Sequence, residues 1–183
     1  HQTSSVFGKG NTAIGFKALY INNEGYFNTA IGCQTLHWNN QGNSNTAIGY
    51  QTLHYNTSGI LNVATGHQAL FNNNSGEYNT ATGALALKSN TTGDNNTATG
   101  YAALYKNNGW HNTAYGFNSL YNTTSVASGT DYNMGNAAYG NFSGFANTTG
   151  RFNTAIGYQA GRNNTSGTLN NTICIGNDSK VTG

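Results

Sequence analysis

Asn45-Thr-Ala-Ile-Gly-Tyr-Gln-Thr-Leu-His-Tyr-Asn-Thr-Ser-Gly-Ile-Leu61 is one unit of a repeat that fills almost the whole chain. Its first five residues recur unchanged at Asn11–Gly15, Asn28–Gly32 and Asn153–Gly157. Relaxed versions stand at Asn62–Gly66, Asn79–Gly83, Asn96–Gly100, Asn112–Gly116 and Asn136–Gly140. From Gly15 through Gly32, Gly49, Gly66 and Gly83 to Gly100 the closing glycine keeps a step of 17 residues. Later ones fall at Gly116, Gly140, Gly157 and Gly176. A second glycine keeps time with the first at Gly25, Gly42, Gly59, Gly76, Gly93 and Gly109. A fixed short period is the mark of a stack in which each unit touches only its neighbours.

Numbering the unit from its Asn, columns two to four (Thr46-Ala47-Ile48) and seven to ten (Gln51-Thr52-Leu53-His54) alternate small or apolar with polar side chains. The pattern predicts two short strands per unit, separated by Gly49 and closed by Asn56-Thr57-Ser58-Gly59. So much Gly, Asn and Thr disfavours helix. The predicted fold is all-β: a parallel β-solenoid, or β-roll, of about ten 17-residue coils between residues 11 and 176. One repeat domain covers 1–183, interrupted by an irregular stretch at 122–135.

Column three is Ala from Ala13 to Ala155 and Cys174 in the last coil, and column eight is small throughout (Ala18, Thr35, Thr52, Ala69, Ala86). Two small columns predict a narrow roll with little apolar volume of its own. Period-two alternation turns column four (Ile14, Ile31, Ile48, Tyr115, Tyr139, Ile156) away from Ala and out of the roll. Column nine, the leucines from Leu19 to Leu120, belongs either on that outer face or inside. Apolar burial is worth about 25 cal/mol per Å², so an exposed Ile and Leu stripe predicts association with further copies, most economically about a threefold axis.

Asn-Thr-Ala-Ile-Gly resembles the Ser-Val-Ala-Ile-Gly repeat of trimeric autotransporter adhesin heads. The longer string Asn-Thr-Ala-Ile-Gly-Tyr-Gln-Ala, as at Asn153–Ala160, resembles repeats in tail-fibre-like bacterial and viral proteins. The resemblance implies a left-handed, homotrimeric β-roll on an extended fibre, displayed outside the cell or on a virion and used for attachment. Thr65, Thr82 and Thr99 depart from it by replacing Ile. The chain opens at His1 and closes on Val181-Thr182-Gly183 with no capping element, as expected for a piece of a longer fibre.

Few residues point to chemistry. Charged residues are 7% of the chain with a formal net charge of +2, and no basic run could follow a phosphate backbone. No apolar stretch reaches the roughly 20 residues of a membrane span. Glu77 and Asp94 share a column, as do His37 and His54, but neither pair has the further ligands of a metal site. Cys33 and Cys174 lie in different columns far apart along the stack, too distant for a disulfide. No nucleophile and base stand outside the repeat, so no enzyme, cofactor or metal is expected.

Two sets of residues point to binding. Trp38, Tyr55, Phe71, Tyr105 and Tyr121 sit beside Asn-rich turns, and with Asp131 and Tyr132 of the irregular stretch they form a candidate surface for a cell-surface glycan or receptor. A column of Thr, doubled at Thr80/Thr82 and Thr97/Thr99, has the regularity of an ice-binding face. The expected function is a structural or adhesive fibre segment, with ice binding as the alternative.

Overall fold

The computed structural model describes residues 10–124, 135–162 and 170–180. Ten three-residue strands are stacked in chain order: β1 (Thr12–Ile14), β2 (Thr29–Ile31), β3 (Thr46–Ile48), β4 (Val63–Thr65), β5 (Thr80–Thr82), β6 (Thr97–Thr99), β7 (Thr113–Tyr115), β8 (Ala137–Tyr139), β9 (Thr154–Ile156) and β10 (Ile173–Ile175). All neighbours pair in parallel and in register, column on column, so Ala47 lies against Ala30 on one side and Ala64 on the other. The chain is therefore an all-β parallel solenoid of about nine turns, one strand to a turn. There is no helix among the described residues.

The second predicted strand does not form. Gln51 and Leu53 take left-handed φ angles of 53° and 50°, and the same two columns do so in most other coils. Two left-handed residues flanking a right-handed one coil the backbone into successive tight turns, and these direct Thr52 and Leu53 inward without a pleat. Left-handed backbone is unfavourable for Gln and Leu. Here it is offset by hydrogen bonds that continue the strand ladder: Gln51 N–H donates to Cys33 O (3.0 Å) and Leu53 N–H to Ala69 O (3.0 Å). Beyond the strands the only parallel bridge among the described residues joins Ile21 to Trp38.

Inside the roll, Ala30, Ala47, Ala64, Ala81 and Ala98 face the leucine column, and Leu36, Leu53, Leu70, Leu87 and Leu104 are fully buried. Of the two positions open to column nine the inner one is taken, so the expected outer stripe contains no Leu from these coils. Small Ala on the strand wall leaves room for Leu from the opposite wall, so one continuous apolar column fills the interior. Column four does point outward: Ile14, Ile48, Tyr115, Tyr139 and Ile156 are exposed and Ile31 is half-buried.

The interior also carries two asparagine ladders. In column one, Asn62 Nδ2 donates to Gly76 O (2.8 Å) and its Oδ1 accepts the backbone N–H of Asn79 (2.9 Å); Asn28, Asn45, Asn79 and Asn96 repeat the pattern. In column twelve, Asn39, Asn56, Asn73 and Asn90 each pass one amide hydrogen to the preceding Asn and one to the glycine carbonyl three residues on. An amide carries donors and an acceptor on one planar group, so it serves two coils at once. That satisfies polar groups whose burial would otherwise be costly, except at Asn90 Oδ1, where the column-twelve ladder ends without a donor.

Gly83 shows why the closing glycine recurs. Its φ is +131°, and a Cβ there would lie 2.6 Å from Gly100 O. Neither the dihedral nor the space admits a side chain.

Candidate functional site

A coil presents three outer surfaces: the strand face, the turn face of columns six to eleven, and the return segment of columns thirteen to seventeen. The strand face is zoned. Ile14, Ile31 and Ile48 occupy column four in the first three coils, Thr65, Thr82 and Thr99 in the next three, Tyr115 and Tyr139 in the following two, and Ile156 and Ile175 in the last two. Tyr115 and Tyr139 stack with ring centroids 5.2 Å apart and planes 8° apart. The four candidate ice-binding threonines lie together, Thr80 paired with Thr97 and Thr82 with Thr99; Thr82 is exposed and the other three are half-buried.

The turn face carries a ring ladder in column ten. Tyr20, His37, His54 and Phe71 stack in succession at 5.1, 4.8 and 5.1 Å. Lys88 then takes the place of a ring, with its ammonium 5.9 Å from the Phe71 centroid and 5.8 Å from that of Tyr105. Tyr105 and Tyr121 stack at 4.9 Å and 4°, and Tyr121 meets Phe145 at 5.4 Å. Cations over ring faces are attracted by the ring quadrupole. Beside the ladder, column seven holds a glutamine ladder, Gln51 donating to Gln34 and Gln68 to Gln51 at 2.6 and 2.8 Å.

Of the predicted binding aromatics, Phe71, Tyr105 and Tyr121 belong to this ladder, where the stacked faces lie against neighbouring coils. Trp38 and Tyr55 stand one column further on. Their rings are tilted out, Trp38 by 59° to His37 and Tyr55 by 85° to His54, and each is 44% exposed. In those two coils the ladder members are His37 and His54. The 17-residue step from Tyr20 to residues 37 and 54 carries that signal. Asp131 and Tyr132, with the rest of 125–134, lie outside the described residues.

His37 and His54 are both buried, and burial holds both imidazoles below their ordinary pKa. For His37 the neighbouring His54 and Lys17 add to the effect. For His54 a contact of Nδ1 with Gln34 O at 3.1 Å opposes it. His37 Nδ1 is buried without a hydrogen-bond partner. Both cysteines are free, and burial pushes the Cys174 thiol up. Among the described residues no group of three or more His, Cys, Asp or Glu side chains gathers as metal ligands. No helix there is long and apolar enough to cross a membrane.

Fold and surfaces together define a repeat protein of the parallel β-solenoid class, with a strand face zoned into Ile, Thr and Tyr and an aromatic turn face. Comparison with protein-family models, with curated proteins and with solved structures gives no match for this chain.

Proposed function

We propose that the chain is a structural and adhesive segment of an extracellular or virion-borne fibre. It assembles as a homotrimer through its strand faces and attaches the fibre to a cell-surface glycan or receptor. The observation that carries this reading is the exposed Ile and Tyr of column four on a regular ten-strand face. Exposed apolar patches of this kind are usually covered by a partner, and a second and third copy offer the same repeat and therefore a matching surface. Backbone and Asn ladders give a stiff rod, the mechanical property a fibre needs. The test is the mass in solution by sedimentation equilibrium, together with saturable binding to host cells or a glycan panel. A monomer removes the trimer, and a rod with no saturable binding is a spacer.

A second reading has one observation of its own, the register of Thr80 with Thr97 and Thr82 with Thr99. Those threonines form an ice-binding patch on a regular parallel face, bounded by Ile48 before and Tyr115 after. Failure of the purified protein to inhibit ice recrystallisation at micromolar concentration ends that reading.

A further inference from the structure

The charges of this nearly neutral chain are sorted by face. Lys17, Lys88, Lys106 and Arg162 all lie on the turn face, in columns seven, ten and eleven. Each lies against a ring: Lys17 over Phe16 and Tyr20, Lys88 between Phe71 and Tyr105, Lys106 over Tyr121, and Arg162 over Phe142 at 4.9 Å. Lys106 also donates to Asn122 Oδ1 at 2.9 Å. Rings and amides therefore hold these cations in place without neutralising them. Glu24, Glu77 and Asp94 lie on the return segment, which carries one described arginine, Arg151. Among the described residues the acidic side chain on the turn face is Asp178, in the last coil, two positions before Lys180.

We infer that the turn face is a binding surface for a linear anionic polysaccharide running along the solenoid axis, contacted by Lys17, Lys88, Lys106 and Arg162 and flanked by Trp38 and Tyr55. Lys17 follows β1 and Arg162 follows β9, eight coil steps or about 38 Å at the usual spacing between strands. A ligand meeting all four must be an extended chain. Acidic groups on the ligand match the cations. The amides of Gln34, Gln51 and Gln68 are hydrogen-bonding partners for hydroxyls, and Trp38 and Tyr55 turn their rings out of the stack. Single-stranded nucleic acid fits less well, because it needs free ring faces for its bases and the ladder has its stacked faces against one another.

This inference rests on the attachment reading and names its ligand. The test uses heparin-derived oligosaccharides of graded length, titrated calorimetrically against the whole chain. Affinity is expected to rise at least tenfold between fragments that reach only Lys88 and Lys106 and fragments that pass all four cations, and to fall with added salt. The double variant Lys88→Glu/Lys106→Glu should lose at least tenfold while still unfolding cooperatively, whereas Arg151→Glu should stay within twofold. Length-independent binding, a double variant within twofold of the parent, or tighter binding to single-stranded DNA or phosphatidylserine vesicles overturns the proposal. Cell attachment that survives polysaccharide lyase treatment removes this ligand and leaves attachment standing. Oligosaccharide binding without cell attachment does the reverse.

Discussion

Asn79 hangs from Asn62: the backbone N–H that opens one coil donates, at 2.9 Å, to the side-chain oxygen that opens the coil before it. Asn62 is fully buried and its Nδ2 closes the same coil by donating to Gly76 O. The first residue of the repeat is thus an internal staple between turns as well as a strand-entry signal.

Asn62→Ala leaves the Asn79 N–H unpaired in the interior, while the Gly76 carbonyl loses one of its two donors and keeps Asn73 Nδ2. One unpaired buried donor costs about 1–3 kcal/mol, so the variant should lose about that much, read as a lower urea midpoint. Asn62→Asp keeps the acceptor but sets an ionised carboxylate against the Gly76 carbonyl and Asn45 Oδ1. It should be less stable at neutral pH than at a pH low enough to protonate it, the opposite of an ordinary surface carboxylate.

Gly83→Ala and Gly176→Ala separate strain from collision. Both glycines have positive φ, +131° and +113°, but a Cβ at Gly83 meets Gly100 O at 2.6 Å, whereas at Gly176 nothing lies within 4 Å. The second variant should cost only the dihedral strain, about 1–3 kcal/mol. The first should in addition push two coils apart and fail to give a cooperative thermal transition. Equal melting temperatures would contradict this account of the glycine register.

Much of this architecture can be read from the chain. The strand columns, the inward Ala47 and the outward Ile48 follow from period-two alternation around a strict repeat, and His37 over His54 follows from a shared column. The turns at Gln51 and Leu53 do not, because left-handed Gln and Leu leave no composition signal and Gln-Thr-Leu-His reads equally well as a strand. Asn56 and Asn62 look like turn residues, and their burial becomes favourable only through amide partners on adjacent coils. Trp38 and His37 are adjacent in sequence, so which of them joins the ring ladder depends on a one-column offset that the pattern of aromatics alone obscures.

Leu87→Ala and Ile48→Ala test the two sides of that alternation. Leu87 is fully buried in the leucine column, and its truncation should cost about 2–5 kcal/mol. Ile48 is 39% exposed on the strand face, so Ile48→Ala should shift the unfolding free energy of an isolated chain by no more than about 0.5 kcal/mol. If strand faces associate, however, Ile48→Ala combined with Ile14→Ala and Ile156→Ala should raise the concentration needed for assembly at least tenfold in sedimentation. An unchanged assembly curve would move the interface away from column four.

The stacked imidazoles of His37 and His54 make stability depend on pH. Burial, first, and for His37 also the charges of His54 and Lys17, hold both pKa values below the ordinary value of about 6.5. The folded chain therefore binds fewer protons than the unfolded chain at mildly acidic pH, and stability rises with pH in that range. It should be full above about pH 6.5 and fall as the pH drops from there toward the lowered folded-state values. With rings 4.8 Å apart, charging the second imidazole against the first is the harder step. Replacing both by Phe, the residue that column ten carries at Phe71, keeps the stack and removes the two protons. The double variant should melt at least as high as the parent at pH 8 and lose less of its melting temperature on going to pH 5. Parallel pH profiles for parent and variant would show that these two imidazoles do not control acid stability.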